Sequence, residues 1–150
     1  MKVLIVYKSY HHLNTEKVAK AMASTVDAQL CKAEELSQHN IEDYDIVGFG
    51  SGIYAWTFHR ELVKAIQSLN GGGTKRAFSF CTCGNVTLKY EKMMEQLLTK
   101  QGFNVMGHFC CLGFDTFGPY KLIGGLNKGK PNEKDLEKAK EFIKSLIRRI

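Results

Sequence analysis

Hydrophobic residues follow two alternating patterns along the chain. Short, continuous apolar runs rich in β-branched and aromatic residues predict strands buried on both faces, as in a parallel sheet covered by helices. The predicted strands are Val3–Tyr7, Ala28–Cys31, Ile46–Gly50, Ala77–Cys81 and Val105–Leu112. The second of these is shorter and alternates between apolar and polar residues, as expected for an edge strand. Between the strands, and after the last one, apolar residues recur at helical spacing. They predict helices over residues 15–27, around Leu62–Leu69, around Met94–Leu98 and from about Asn132.

This repeated alternation of strand and helix predicts one doubly wound α/β domain over residues 1–150. We expect five parallel strands in the order 2-1-3-4-5, with helices on both faces. Two connections depart from a regular count. Residues 33–43 have room for at most a helical turn, and residues 113–131 form a long connection that contains several glycines. Loops of that length inside a compact domain are usually functional or mobile.

The positive charge lies towards the carboxyl terminus. The chain carries a formal charge of +6, and residues 121–150 hold 9 basic and 4 acidic side chains. This segment is either a solvated helix face or a docking patch for an acidic partner. Because the basic residues alternate with acidic ones, nucleic-acid binding is not expected. No apolar run reaches the roughly 18 residues of a membrane span, and the first apolar run is too short for a signal peptide, so we expect a cytoplasmic protein.

The turns that follow the strands are the candidate binding region. In an open α/β sheet, ligands bind at the carboxyl ends of the strands, near the switch between the first and third strands. The first turn, residues 8–15, carries hydroxyl and amide side chains immediately before a helix, whose free N–H groups favour a phosphate. It contains neither the dinucleotide-binding nor the nucleoside-triphosphate glycine pattern. The alternative is that Asn14 or Thr15 only caps the helix.

The residues of these turns resemble those of flavodoxins. Ser9, Asn14 and Thr15 after the first strand look like the FMN-phosphate loop of that family, although His11 and Leu13 stand where hydroxyl residues or glycine are usual. Residues 50–59 and 113–132 are similar to small flavodoxin-family proteins of anaerobes and archaea. Residues 50–59 are also similar to menaquinone-dependent protoporphyrinogen oxidases of flavodoxin type. The resemblance covers nearly the whole chain and implies a flavodoxin-like fold.

The resemblance implies FMN as the cofactor, held by three loops. The backbone amides of residues 10–15 would hold the phosphate, and a protonated His11 or His12 would add positive charge, although the alternative is two solvent-exposed loop histidines. The second loop would face the flavin ring, and the third loop would contact the ring edge through its backbone. The expected cofactor-binding residues are Ser9, Tyr10, His11, His12, Leu13, Asn14, Thr15, Ser51, Gly52, Ile53, Tyr54, Ala55, Trp56, Thr82, Cys83, Gly84 and Asn85.

The second loop is unusually aromatic. We expect Tyr54 and Trp56 to contact the flavin ring, because offset stacking of aromatic rings is favourable, and we expect Phe58 to pack in the core. The third loop lacks the aromatic residue that typical flavodoxins place there, which predicts a more open ring face. The long connection offers three aromatic residues that could cover the ring instead: Phe114, Phe117 and Tyr120.

The chain has 5 cysteines, and their spacing matches neither a zinc motif nor a C-x-x-C redox pair. Cys81, Cys83 and the Cys110–Cys111 pair lie at the ends of two predicted strands. One hypothesis is a relay between the flavin and these thiols. We favour the interpretation that they are small buried hydrophobic residues.

These features support a one-domain FMN electron carrier, which would be a monomer acting with redox proteins that present an acidic face. The alternative is an enzyme, an FMN-dependent quinone reductase or protoporphyrinogen-oxidase-like oxidoreductase. A phosphorylation receiver domain has the same strand order but needs acidic residues at the ends of the first and third strands. Lys8, Ser9 and Ser51 stand at those places, which argues against a receiver.

Overall fold

The computed structural model describes residues 1–10, 12–116 and 118–150. Five parallel strands form the sheet in the order β2-β1-β3-β5-β6, which confirms the predicted order of the parallel strands. A short sixth strand, β4, pairs antiparallel with the end of β3. The strands are β1 (Val3–Lys8), β2 (Gln29–Lys32), β3 (Ile46–Tyr54), β4 (Thr57–Phe58), β5 (Arg76–Cys83) and β6 (Asn104–Leu112).

Within the described residues, four α-helices cover the two faces of the sheet, as expected for a doubly wound fold. Helices α1 and α4 pack on one face, and α2 and α3 pack on the other. None of the helices in the described ranges combines the length and the apolar character that crossing a bilayer requires. The helices are α1 (Asn14–Val26), α2 (Arg60–Gln67), α3 (Leu88–Lys100) and α4 (Glu133–Arg148).

Short 3-10 helices occupy both irregular connections. The connection after β2 contains two of them, Ala33–Gln38 and Ile41–Asp43, so it holds more helix than the single turn expected there. Leu36 and Ile41 are buried and anchor this connection against the core on the α2 side. The long connection contains a third 3-10 helix, Gly118–Ile123, whose side chains are largely exposed.

The prediction of an irregular loop at residues 51–59 is wrong, because β3 continues to Tyr54 and the chain then turns back into β4. The turn residues Ala55 and Trp56 have positive φ angles of 48° and 67°. Two successive left-handed residues match the twist of a tight β-hairpin. The second candidate loop is therefore a hairpin at the carboxyl end of the central strand.

Two glycines let β3 pass beneath large aromatic rings of β5. Gly48 pairs with Phe78 and Gly50 pairs with Phe80 in the parallel register. A Cβ atom on Gly48 would lie 2.2 Å from the Phe78 ring, and one on Gly50 would lie 2.3 Å from the Phe80 ring. β3 therefore has no side chain at the two positions where the Phe78 and Phe80 rings of β5 fill the core.

Candidate functional site

The first turn and the start of α1 form one wall of the site. Leu13 occupies the position before the helix in a left-handed conformation, with a φ of 52°, and no side chain caps the helix from there. Ser9 stabilises the first helical turn, because its Oγ accepts a hydrogen bond from the Glu16 N–H at 3.1 Å. Asn14 and Thr15 lie inside the helix, so neither is its cap. The Glu16 amide is held by Ser9, whereas the amide groups of Asn14 and Thr15 have no acceptor within the helix and are available to an anion.

Asn14 links this wall to the long connection and presents a buried acceptor. Its Nδ2 donates to the Phe114 carbonyl oxygen at 2.8 Å. Its Oδ1 is buried and accepts no hydrogen bond within the described residues. Most buried side-chain polar atoms have a hydrogen-bond partner, so this oxygen suits a ligand that carries a hydroxyl donor.

A buried pair of hydroxyls connects the first and third loops. Thr15 Oγ1 and Thr82 Oγ1 are 2.8 Å apart, and both side chains are almost fully buried. The Thr15 hydroxyl is therefore engaged inside the domain. A ligand at this edge would meet the Thr15 backbone amide before its side chain.

The hairpin forms the second wall. Ser51 holds it in place, because its Oγ donates to the Gly52 carbonyl oxygen at 2.7 Å and accepts from the His59 N–H at 3.1 Å. The Tyr54 ring packs edge-on against His59, with ring centroids 5.1 Å apart. Burial raises the pKa of Tyr54, and a hydrogen bond from the Tyr10 backbone opposes that shift. This contact brings the hairpin against the first loop.

The tip of the hairpin is exposed while its base is packed. Trp56 at the tip is 70% exposed, whereas Phe58 is only 4% exposed, which confirms that Phe58 packs in the core. Ile53 pairs with Phe58 across the hairpin and is half-buried. A Cβ on Gly52 would lie 3.0 Å from the Tyr54 hydroxyl, so Gly52 keeps the strand close beneath that side chain.

His59 connects the hairpin to α2. Its Nδ1 accepts a hydrogen bond from the Glu61 N–H at 3.0 Å and so caps the helix. Burial, reinforced by the nearby Lys8 charge, lowers the pKa of His59. The cap requires an unprotonated Nδ1, so it is intact when the imidazole is neutral.

The long connection closes over the third loop. Asn127 Nδ2 lies 3.0 Å from the Gly84 carbonyl oxygen and 3.4 Å from that of Gly113. Asp115 and Leu126 form an antiparallel bridge, so the segment folds back on itself. Asn127 is a site residue that the sequence reasoning missed. No sequence signal identifies it, because 43 residues separate it from Gly84.

The long connection also contacts the first loop. The His12 ring packs against Phe114 with centroids 4.4 Å apart, and its Nε2 lies 3.0 Å from Thr116 Oγ1. His12 is exposed, which agrees with the alternative that it is a solvent-exposed loop histidine, but its ring contacts Phe114 and Thr116. Tyr120 is half-exposed. His11 and Phe117 lie outside the described residues.

Third-loop residues differ in exposure. Gly84 is half-buried and Asn85 is exposed, while Cys83 is buried. The Cys83 carbonyl oxygen accepts from the Gly113 N–H at 2.9 Å, and its thiol turns into the core, 3.0 Å from Cys110 Sγ. Hydrogen bonds from the Cys110 and Cys81 thiols lower the pKa of Cys83.

Large apolar side chains surround this edge of the sheet. Seven of them are more than half exposed and lie in or next to the segments that follow β1, β3, β5 and β6. These exposed apolar side chains are candidates for contact with a partner molecule and are called the apolar rim. Its members are Tyr10, Leu13, Trp56, Val86, Leu88, Leu122 and Ile123.

Comparisons with known proteins agree with this geometry. A family model described as a flavodoxin domain matches residues 4–113. The chain is 45% identical over 150 residues to an uncharacterized protein of Methanocaldococcus jannaschii, and the match covers 99% of each chain. It is also similar to oxidised Flavodoxin 2 from Bacillus cereus, with a TM-score of 0.68, 20% identity and 100% of both chains covered. A flavoprotein in complex with FMN from Lactobacillus acidophilus gives a TM-score of 0.59 at 17% identity, covering 73% of this chain and 92% of that chain.

Proposed function

The chain belongs to the flavodoxin domain family, and on this premise we propose that it binds FMN and carries electrons between redox proteins. The observation that supports FMN most directly is the buried, unpartnered Oδ1 of Asn14 at the amino-terminal end of α1. The ribityl chain of FMN carries hydroxyl donors that suit this oxygen. The phosphate of FMN suits the free amide groups of the same helix end.

The rest of the edge fits the flat ring of FMN. Tyr54 and Trp56 offer aromatic faces on the hairpin, and Gly84 and Asn85 offer backbone groups across the site. A similar flavoprotein is named as a complex with FMN, which supports the same ligand class. When bound, FMN supplies the redox chemistry, and the protein supplies binding, orientation and surroundings.

The apolar rim favours a carrier that docks to other proteins. Exposed apolar side chains next to a cofactor allow transient association with a redox partner. The segment 121–150 adds a net charge of +5, from 9 basic and 4 acidic residues, so we propose a partner with an acidic face. Lys134 and Lys138 on α4 are exposed. No nucleic acid is proposed as a partner.

A second candidate is a quinone reductase that uses the same FMN site. It is favoured by the third loop, where Gly84, Asn85 and Val86 offer no aromatic ring to cover the flavin. Turnover with menaquinone separates the two candidates. An enzyme would be reoxidised by the quinone much faster than free FMN is, whereas a carrier would show no such advantage.

The site is tested by titrating the apoprotein with FMN and, separately, with riboflavin. Trp56 is the only tryptophan, so its fluorescence reports directly on the hairpin tip. We expect quenching that saturates at one FMN per chain and much weaker binding of riboflavin, which lacks the phosphate. An apoprotein that ignores FMN would overturn the proposal. Equal affinity for FMN and riboflavin would remove the phosphate subsite.

Asn14→Ala tests the observation that carries the proposal. Loss of one neutral hydrogen bond to the cofactor should cost about 0.5–1.5 kcal/mol of binding free energy, so FMN should bind roughly two- to tenfold more weakly. Ser24→Ala is the matched control, because the Ser24 hydroxyl donates to the Ala21 carbonyl oxygen further along α1, away from the site. Equal FMN affinity in the two variants would show that Asn14 does not contact the cofactor.

A further inference from the structure

Three thiols and one imidazole form a compact patch on β5 and β6. Cys81 and Cys110 are directly opposite each other in the parallel register. Cys83 follows two residues later on β5, and His108 precedes by two residues on β6, so all four share one face of the sheet. Cys110 Sγ lies 2.8 Å from Cys81 Sγ and 3.0 Å from Cys83 Sγ, and Cys81 Sγ lies 3.7 Å from His108 Nε2.

The imidazole of His108 is oriented by a neighbour of its own. Ser79, its register partner on β5, places its Oγ 2.6 Å from His108 Nδ1. With Nδ1 held by this contact, Nε2 faces the sulfur atoms. A hydrogen bond to the far nitrogen is the usual way in which proteins orient a metal-binding histidine. Phe58 packs edge-on against the same ring, at 6.5 Å between centroids.

We propose that Cys81, Cys83, Cys110 and His108 form a binding site for Zn²⁺. The donor atoms of Cys81, His108 and Cys110 all lie within 4.8 Å of one another. Three sulfurs and one nitrogen, with no carboxylate among them, match the tetrahedral Cys₃His set that zinc takes in structural sites. Magnesium and calcium prefer oxygen ligands and are not expected here.

Zinc binding requires the sulfur atoms of this cluster to move apart, and Cys83, which contacts Cys110 but lies outside the set of Cys81, His108 and Cys110, must turn towards the imidazole. Zn–S bonds of about 2.3 Å in a tetrahedron separate two sulfurs by roughly 3.8 Å, so the thiols would move apart by about 1 Å. The 3.7 Å between Cys81 Sγ and His108 Nε2 already matches the sulfur–nitrogen separation of roughly 3.6 Å in such a site. Each thiol that becomes a ligand releases its proton to solvent.

A cavity of about 90 Å³ lies beside the cluster and is lined by one of its members, His108. His108 and Ser79 line one side of it, and Glu91 and Glu95 of α3 line the other. Two carboxylates at the opening attract a cation towards the imidazole. This cavity lies beside α3 and is separate from the amino-terminal end of α1, so zinc binding does not depend on the proposed FMN function.

The test uses the purified chain, treated with reductant and chelator and then titrated with Zn²⁺ against a chromophoric chelator. We expect one Zn²⁺ per chain. Titration with Co²⁺ should give thiolate charge-transfer absorption and the visible bands of a tetrahedral site. Ser79→Ala should weaken Zn²⁺ binding by roughly 10- to 100-fold, as loss of an orienting partner does, and Cys110→Ser should weaken it further.

Cys111→Ser is the matched control. Cys111 is the next residue on the same strand, but it packs on the opposite face of the sheet with the α1 and α4 core. The Cys111→Ser variant should bind Zn²⁺ with the same affinity as the unaltered chain. Cys83→Ser is measured alongside Cys110→Ser, with far-ultraviolet circular dichroism to establish that each is folded.

Three results would overturn the proposal. One is the absence of stoichiometric Zn²⁺ binding, and another is equal Zn²⁺ affinity in Cys110→Ser and Cys111→Ser. The third is a thiol count of three instead of five in chain purified without reductant and then denatured, which would indicate a disulfide within the cluster. The FMN titration is run with and without Zn²⁺, so failure of one site is seen independently of the other.

Discussion

The bond between the Thr15 and Thr82 hydroxyls should couple the first and third loops energetically. The two oxygens are 2.8 Å apart, and the side chains are 2% and 4% exposed. Thr15→Val leaves the Thr82 hydroxyl buried without its partner, and Thr82→Val does the same to Thr15. Each single variant should lose about 1–3 kcal/mol of unfolding free energy, which is the usual cost of orphaning one buried polar group.

The double variant should lose much less than the sum of the two. Removing both hydroxyls leaves no orphaned group, and two valines fill nearly the same space. The coupling free energy should therefore approach the sum of the two single losses, about 2–6 kcal/mol, well above the roughly 0.5 kcal/mol within which independent sites add.

Urea unfolding of the unaltered chain, both single variants and the double variant measures this cycle. For a chain of 150 residues, each kcal/mol also shifts the melting temperature by about 2–4 °C. Thr25→Val is the control, because the Thr25 hydroxyl donates to the Ala21 carbonyl oxygen of its own helix and does not join two loops. Additive losses at Thr15 and Thr82 would refute the coupling.

Three further predictions follow from the packing, the His59 cap and the charge. Gly50→Ala places a Cβ 2.3 Å from the Phe80 ring, so urea unfolding should show a loss of about 1–3 kcal/mol in the free energy of unfolding. Adding Phe80→Leu to the same chain should restore part of that loss, and a double variant without any restoration would contradict the clash. Burial lowers the pKa of His59 below 6.5, so the folded state binds fewer protons and its stability should fall as pH decreases from above 6.5. His59→Asn keeps a capping side chain and should flatten that slope, and an unchanged slope would assign it elsewhere. The rate at which the reduced protein passes electrons to an acidic acceptor protein should fall with added salt and with Lys134→Glu, whereas a salt-independent rate would exclude electrostatic docking.

Local patterns predicted most of the sheet, because each strand carries its own signal. The continuous apolar run Val3–Tyr7 predicts a strand that is buried on both faces. In the structure β1 lies between β2 and β3, in agreement with that prediction. The hairpin at β3 and β4 was missed for a physical reason. Its turn uses Ala55 and Trp56 with positive φ, where the sequence has none of the glycine or asparagine that normally signals such a turn.

The candidate site was located from the sequence through topology, since the carboxyl ends of parallel strands meet at one edge. How its loops contact one another could not be predicted, because the contacts that join the first loop to the third loop and to the long connection link distant parts of the chain. Asn14 reaches Phe114 across 100 residues, and Thr15 reaches Thr82 across 67. Side chains paired at such distances leave no periodic trace in the sequence.

The cysteines show most clearly what each level of structure decided. By spacing alone they match no zinc motif and no C-x-x-C redox pair, and the sequence favours small buried residues over a relay between flavin and thiols; Cys81 and Cys83 are indeed buried. Parallel pairing of β5 with β6 then sets Cys81 opposite Cys110 and brings His108 to the same face. The sequence by itself predicted that Cys81, His108 and Cys110 lie in strands, whereas it placed Cys83 in a loop and the structure extends β5 to include it. The register of the two strands, which depends on the packing of the whole sheet, decided that these residues form a cluster.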